Sequence, residues 1–319
     1  MKIWYHIFNN QLYEYAWIYE HQQSFSIARM CKVIKVNRTS YYHWIDAGML
    51  IKKVDKQLNE LILAIFIKGR NTYGTRPIRD KLLELYGLVI SRKRISNIMK
   101  DLNLKVKMKR RYKNTTDSNH NLPIAPNILN RDFYASAPNE KWVGDKNINK
   151  YILKVYIYLY DVINLGEGWL YLATVIDLYS RRVVGWSMDD NMKVSLVNDA
   201  LNMAIAQRNP PDGLIWHTDR GSQYASYSHK DLLIKNNIIQ SMSRKGNCWD
   251  NAVAESFFKT LKNHIIYDNY FYTKKQAKAE IFEYIEVFYN RTRSHSYLGN
   301  LSPSKFEEIN LMLQNEMVA

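Results

Sequence analysis

Two acidic residues occupy positions from which a metal ion could be held. Asp219 lies in Trp216-His-Thr-Asp219-Arg-Gly-Ser-Gln-Tyr224, just past a short predicted strand that begins at Gly213 and before a Gly-containing turn. Strand ends are where α/β sheets present groups to ligands. Glu255 lies inside a predicted helix from Asp250 to His264, with Lys259 and Lys262 at i+4 and i+7 on its face. Taken alone, that trio is a surface Glu–Lys pair worth ~0.2–0.5 kcal/mol. Joined to a second acid, it reads as carboxylates that hold hard divalent cations and lysines that hold the phosphates those cations activate.

Other side chains carry less. His217 precedes Asp219, but a hard-metal site does not need it, and a structural role is the better reading. Ser222 and Ser256 lack adjacent His–acid partners, so serine nucleophilic catalysis finds no support. Twenty-four tyrosines would suit a tyrosine recombinase, yet the Arg and His constellation of that chemistry has no visible motif. Most of them read as packing and hairpin residues. Cys31 and Cys248 are too few for a disulfide framework or a Cys-based zinc site.

The elements that must position these residues follow from periodicity and capping. Predicted helices run from Ser26 (N-cap) to a stop at Asn37, from Ser40 to Ala47, and from Asp55 to Lys68. Another starts with Pro77 as a first helical residue and closes at Gly87. Ser91 then caps a helix with Ile95, Ile98, Met99 and Leu102 inward and Arg92, Lys93, Arg94 and Lys100 outward. Those two short helices and their turn form a helix-turn-helix pattern. Lys105, Lys107, Lys109, Arg110, Arg111 and Lys113 extend its basic face, as a phosphate-tracking segment would. Beyond residue 131 the period changes. Strands are predicted at Trp169–Leu178, Val183–Ser187 and Gly213–Trp216, and helices at Lys193–Gln207 and Lys274–Asn290, which makes a mixed α/β domain.

Charge divides the chain in the same place. Residues 1–131 hold 24 basic and 9 acidic side chains, whereas residues 132–319 hold 21 of each. The whole excess of +15 therefore sits in the first part. A basic module ahead of a balanced one points to a polyanion, and nucleic acid is the leading candidate. The most apolar run, Tyr151 to Asn164, includes Lys154 and Asp161 and falls short of the ~18 residues a membrane helix needs. No secretory signal opens the chain, so a cytoplasmic, nucleoid-associated protein is expected.

Several motifs stand together: Lys141-Trp-Val-Gly-Asp145, Gly168-Trp-Leu-Tyr-Leu-Ala-Thr-Val-Ile-Asp-Leu-Tyr-Ser-Arg-Arg-Val-Val-Gly-Trp186, His217-Thr-Asp-Arg-Gly-Ser-Gln-Tyr224, Ser241-Met-Ser-Arg-Lys-Gly246, Trp249-Asp-Asn-Ala252 and Tyr289-Asn-Arg-Thr-Arg-Ser-His295. With 35 residues between Asp219 and Glu255, they resemble the bacterial insertion-sequence transposases of the OrfB type, whose core is similar to retroviral integrase. The likeness covers roughly Phe25 to Phe306. It implies a ribonuclease-H-like core, a mixed five-stranded sheet with flanking helices, preceded by an all-α helix-turn-helix region. It further implies an Asp–Asp–Glu triad of Asp145, Asp219 and Glu255 holding two Mg²⁺ or Mn²⁺ ions, with Lys259 and Lys262 near the DNA end. Implied partners are the element's ends and target DNA, a homo-oligomer on that DNA, and the product of a smaller upstream reading frame. Zinc is not expected, because nothing has the His/Cys ligand spacing.

The first acid has two candidates. Asp145 has the motif neighbours Trp142 and Val143 but lies 23 residues before Gly168, where the family has a short hairpin, so 147–163 reads as an insertion. Asp161 has Val155, Ile157, Leu159 and Ile163 on its strand face and Gly168 seven residues on. A strand over Tyr156–Asn164 would then form the hairpin. Motif identity favours Asp145. The expected domains are an N-terminal helical segment (1–50), a basic helix-turn-helix region (51–114), a linker (115–131), the catalytic core (132–306) and a C-terminal tail (307–319). Three functions fit: a transposase that cuts and joins, a nuclease that stops after hydrolysis, and an inactive DNA-binding relic or regulator.

Overall fold

A computed structural model describes residues 11–46, 56–106, 121–148, 169–245, 247–266 and 271–318. The chain divides into two compact units, residues 1–61 and 62–319. No helix among the described residues is long and apolar enough to cross a membrane.

In the first unit, α1 (Gln11–His21), α2 (Ile27–Ile34) and α3 (Arg38–Asp46) close on an aromatic core. Tyr15, Ile18, Met30, Cys31, Tyr41 and Trp44 fill it. Ser26 caps α2 by accepting from the Arg29 amide at 3.3 Å. Asn37 does not stop that helix, which already ends at Lys35 in a left-handed conformation. Asn37 instead begins α3, its Oδ1 accepting from the Ser40 amide at 3.1 Å. An Asn can serve either end of a helix, so its type alone does not decide which.

Helix α4 (Lys56–Lys68) crosses the boundary between the units. In the second unit come α5 (Thr75–Tyr86) and α6 (Arg92–Asp101), with Ile78, Leu82, Ile95, Ile98 and Met99 buried. Gly87 ends α5 at φ 65° and Ser91 caps α6. Pro77 is not the first residue of α5, which starts two residues earlier after Gly74. Proline is tolerated there because the first-turn amides have no helical partner to lose.

The sheet of the second unit has the order β3-β2-β1-β4-β5. Its strands are β1 (Lys141–Ile148), β2 (Tyr171–Asp177), β3 (Val183–Asp189), β4 (Ile215–Thr218) and β5 (Ile239–Met242). β1, β2 and β3 form an antiparallel meander, and β4 and β5 run parallel to β1. This is the mixed ribonuclease-H-like arrangement. One face packs on α7 (Val194–Arg208), with Ala173, Val175, Leu196, Ala200 and Ala204 in a single cluster. The other face packs on α10 (Ala252–Leu261) and α11 (Lys274–Glu283), through Leu172, Ile176, Phe257, Phe258 and Ile281. β2 is covered on both faces, hence its nearly unbroken apolar run.

The short helices α8 (Ser222–Ala225) and α9 (Tyr227–Lys235) follow β4. A π-helical stretch, Tyr284–Tyr289, continues α11. The α4–α5 connection rests on it: Arg70 ion-pairs with Glu283 and sits 4.8 Å over the Phe288 ring. Tyr73 donates its hydroxyl to the Thr292 carbonyl at 3.2 Å.

Two expectations need correction. The stretch 307–319 is not a tail: residues through Val318 continue α12 (Pro303–Val318). Ser180, Arg182 and Arg208 all bond its Glu307, a tertiary anchor that local sequence does not reveal. The insertion also begins later than expected, since Asn147 and Ile148 remain in β1, paired with Leu172 and Tyr171. The apolar stretch that follows, with Asp161, lies outside the described residues.

Candidate active site

β1 and β4 set the first two acids side by side. Lys141, Trp142 and Val143 pair in parallel with Ile215, Trp216 and His217. Two residues further on come Asp145, still within β1, and Asp219, just past the end of β4, near enough for the charge of Asp219 to act on Asp145. Alternation sends Val143 and Asp145 toward α10 and Trp142, Gly144 and Lys146 toward the opposite cluster. A Cβ at Gly144 would overlap the Trp216 ring, so glycine lets β1 and β4 approach here.

Asp145 is buried, and its carboxyl is pushed well above the ordinary range, first by burial and then by the charge of Asp219. Two carboxylates held this way repel each other, and a shared cation would relieve the repulsion. The Asp145 and Asp219 carboxylates accept the backbone amides of Lys146 at 2.7 Å and Gly221 at 2.9 Å.

The third acid comes from the helix facing the sheet. Glu255 sits in the first turn of α10 and is exposed. Partial desolvation of its carboxyl against the sheet side, and then the charge of Asp219, raise it above the usual value. Lys259 follows on the exposed face, and Lys262 begins a π-helical turn (Lys262–Ile266). The Lys262 ammonium is half-buried and depressed by that burial, while the negative field of Asp145 opposes the shift.

Trp249-Asp-Asn-Ala252 fixes where α10 begins, and this role is not evident from the sequence. Asn251 is buried and donates Nδ2 to the Gly144 carbonyl at 2.9 Å, tying the helix start to the residue before Asp145. Asp250, fully buried, accepts from Arg244 Nε and Nη2 at 2.9 and 2.8 Å. It also accepts from Arg131 Nε at 2.8 Å and Asn127 Nδ2 at 3.0 Å. These bonds, Arg244's foremost, hold its carboxyl far below the ordinary range. They also anchor 121–131, expected as linker, to the core.

His217 is structural. Ser241 Oγ accepts from the Ile128 and Leu129 amides, so its own proton goes to His217 Nδ1 at 2.8 Å. Nε2 must then carry the ring proton and donate to Ser243 Oγ at 3.1 Å, which donates onward to the Thr218 carbonyl. A second ring proton would break the chain, in keeping with a titration point lowered to about 4, chiefly by burial.

Lys146 is the residue that sequence reasoning missed. It is 7% exposed, and its ammonium has no hydrogen-bond partner. The Nζ lies 3.8 Å from Asp219 Oδ1 and 4.7 Å over the Tyr224 ring. A Cβ at Gly221 would overlap it. Strand alternation carried the signal, because Trp142-Val-Gly-Asp-Lys146 puts a charge on the face of a buried tryptophan.

Of the remaining predicted residues, Arg92, Lys93 and Arg94 are exposed on α6. Lys107, Lys109, Arg110 and Arg111 lie outside the described residues. Among the described residues, no three His, Cys, Asp or Glu side chains converge closely enough to hold a metal. The Asp145–Asp219 pair nonetheless presents oxygen donors alone, the set that suits Mg²⁺ or Mn²⁺.

Models of an integrase core domain match residues 135–248 and 236–303, and an HTH-like domain model matches 53–112. The transposase InsF for insertion sequence IS3A of Escherichia coli (strain K12) is 40% identical over 301 residues, covering 93% of this chain and 99% of the relative. The insertion element IS600 31 kDa protein of Shigella sonnei is 42% identical over 280 residues, 88% of this chain and 97% of the relative. Among solved structures, the HTLV-2 integrase catalytic core domain with magnesium (trimeric form) gives a TM-score of 0.39 at 17% identity, covering 54% of this chain and 99% of that one.

Proposed function

The chain belongs to the transposases of IS3-family insertion sequences, and from that membership we propose that it cuts its element's ends and joins them to target DNA at one site. The reaction is hydrolysis of a phosphodiester to free a 3′-hydroxyl, then attack of that hydroxyl on a target phosphodiester. The observation that supports the proposal is the placement of Asp145 in β1 and Asp219 just past the parallel-paired β4, on a sheet against which the helix bearing Glu255 packs.

In this reading Asp145, Asp219 and Glu255 hold two Mg²⁺ or Mn²⁺ ions, which when bound stabilise both attacking and leaving oxygens. Gly144 and Asn251 keep β1 and α10 in place, so the carboxylates need not reorganise. Lys259 and Lys262 offset charge on the phosphate's non-bridging oxygens. Arg92, Lys93, Arg94 and the basic segment Lys107, Lys109, Arg110 and Arg111 grip the DNA backbone away from the chemistry. The working form is a homo-oligomer on DNA, with the product of a smaller upstream frame as a further partner. The ordinary chain supplies the test, on labelled element ends with Mn²⁺. A transposase yields joined product, a nuclease yields nicks alone, and an inactive relic retains the DNA unchanged. Either of the last two outcomes overturns the proposal.

A further inference from the structure

A second charged site lies a quarter-turn around α10 from Glu255. The residues Ser256 and Thr260, one position on from Glu255 and Lys259, are rotated about 100° from that row. They line a cavity of about 200 Å³ with Arg181, Arg293, His295 and Tyr297. Arg293 and His295 come from Tyr289-Asn-Arg-Thr-Arg-Ser-His295, a motif to which the proposed chemistry gives no role. Arg181 comes from the turn between β2 and β3.

The cavity is cationic: no carboxylate lines it, although the negative field of Asp177 reaches Arg181. Arg181 is 4% exposed; Nη2 donates to the Phe133 carbonyl at 3.0 Å, and Nη1 is buried without a hydrogen-bond partner. The Tyr297 ring covers its guanidinium at 4.0 Å. The next residue, Arg182, ion-pairs with Glu307, whereas neither Arg181 nor Arg293 pairs with a carboxylate among the described residues. His295 Nδ1 is also buried and unpartnered. All three groups line the one cavity, and burial, then the charges of Arg293 and Arg181, push the His295 titration down to about 3. A buried guanidinium is costly unless an anion meets it. The fork geometry of arginine matches a phosphate in particular. Tyr297, 53% exposed at the rim, offers a face on which a sugar or base can rest.

We propose that Arg181, Arg293 and His295 bind one phosphate of the DNA backbone, holding the strand alongside the row that carries Glu255 and Lys259. The choice of DNA over another anion rests on the function proposed above. The test uses the full chain and a labelled duplex of about 40 base pairs over a salt series. Arg293→Gln should weaken binding at least about fivefold at 0.1 M salt and flatten the log–log slope by about 0.9, one phosphate's share. Lys235→Gln removes an equal charge from an exposed position on α9 and should leave the slope unchanged. Arg293→Lys should restore part of the affinity, and His295→Gln gives a second variant should Arg293→Gln melt early.

An unchanged slope in both folded variants overturns the proposal. So does an unchanged slope accompanied by a changed sedimenting mass, which would assign the pocket to a carboxylate of a second copy. Inorganic phosphate that raises the melting point of the ordinary chain, with no slope change in the variants, would mean a free-anion site and overturn it too. Nicking and joining on the same preparations separate the two readings. An inactive ordinary chain with a flattened variant slope sinks only the function, and an active one with unchanged slopes sinks only the pocket.

Discussion

Replacing Lys146 with Met should tighten divalent-metal binding. The ammonium is nearly buried, 3.8 Å from Asp219 Oδ1, and without a hydrogen bond. At an effective dielectric of about 20, that separation corresponds to an attraction of about 4 kcal/mol. Withdrawing an ammonium from water costs several kcal/mol, so the net hold is smaller, about 1–2 kcal/mol. A cation arriving at Asp219 must oppose or displace that hold. Met fills a similar volume without the charge, so Mn²⁺ should bind about 5–30-fold more tightly to Lys146→Met. Titration followed by the free-Mn²⁺ paramagnetic signal reads this directly. Asp219→Asn, which should remove binding altogether, locates the ion. Equal or weaker binding by Lys146→Met would refute the view that Lys146 occupies cation space.

Other outcomes follow from the same geometry. Asn251→Ala removes the bond to the Gly144 carbonyl and should cost about 1–3 kcal/mol, read as a lower midpoint in urea; an unchanged midpoint would deny the clamp. Arg244 and Arg131 depress the Asp250 carboxyl, so its stabilising share is present above the unfolded value near pH 4 and lost as pH falls below it. Asp250→Asn should therefore be less stable at pH 7, with the gap to the ordinary chain closing in acid; parallel stability curves would contradict this. Lys93→Gln together with Lys100→Gln should reduce the salt slope of DNA binding by about 1.8, if α6 contacts two phosphates.

What sequence reveals here depends on how local each cause is. Ser26, Ser91 and Gly87 are legible as helix boundaries because a cap is made within a few residues. Asp219 is legible as a strand-end acid, and His217 as structural, because one short motif contains both. The choice between Asp145 and Asp161 is not legible. An aromatic-rich run satisfies strand alternation in either register, and only the ladder from Trp142↔Asp177 to Ile148↔Tyr171 places Asp145 in β1. Helix α12 is missed because Glu307 takes its partners from the β2–β3 turn and the end of α7, more than 90 residues away in the chain. The cavity lined by Arg181 and His295 is missed for the same reason, since segments more than 100 residues apart build it.

In the proposed reaction one carboxylate site performs both cutting and joining. Asp219→Asn and Glu255→Gln, each assayed with Mn²⁺ on labelled element ends, test it most directly. Asp145→Asn compared with Asp161→Asn identifies the first acid in the same gel. Asp145→Asn, Asp219→Asn and Glu255→Gln should each lose nicking and joining together while DNA binding stays nearly intact, and Asp161→Asn should keep both. A variant of Asp219 or Glu255 that nicks normally but cannot join, or loss confined to Asp161→Asn, would contradict this.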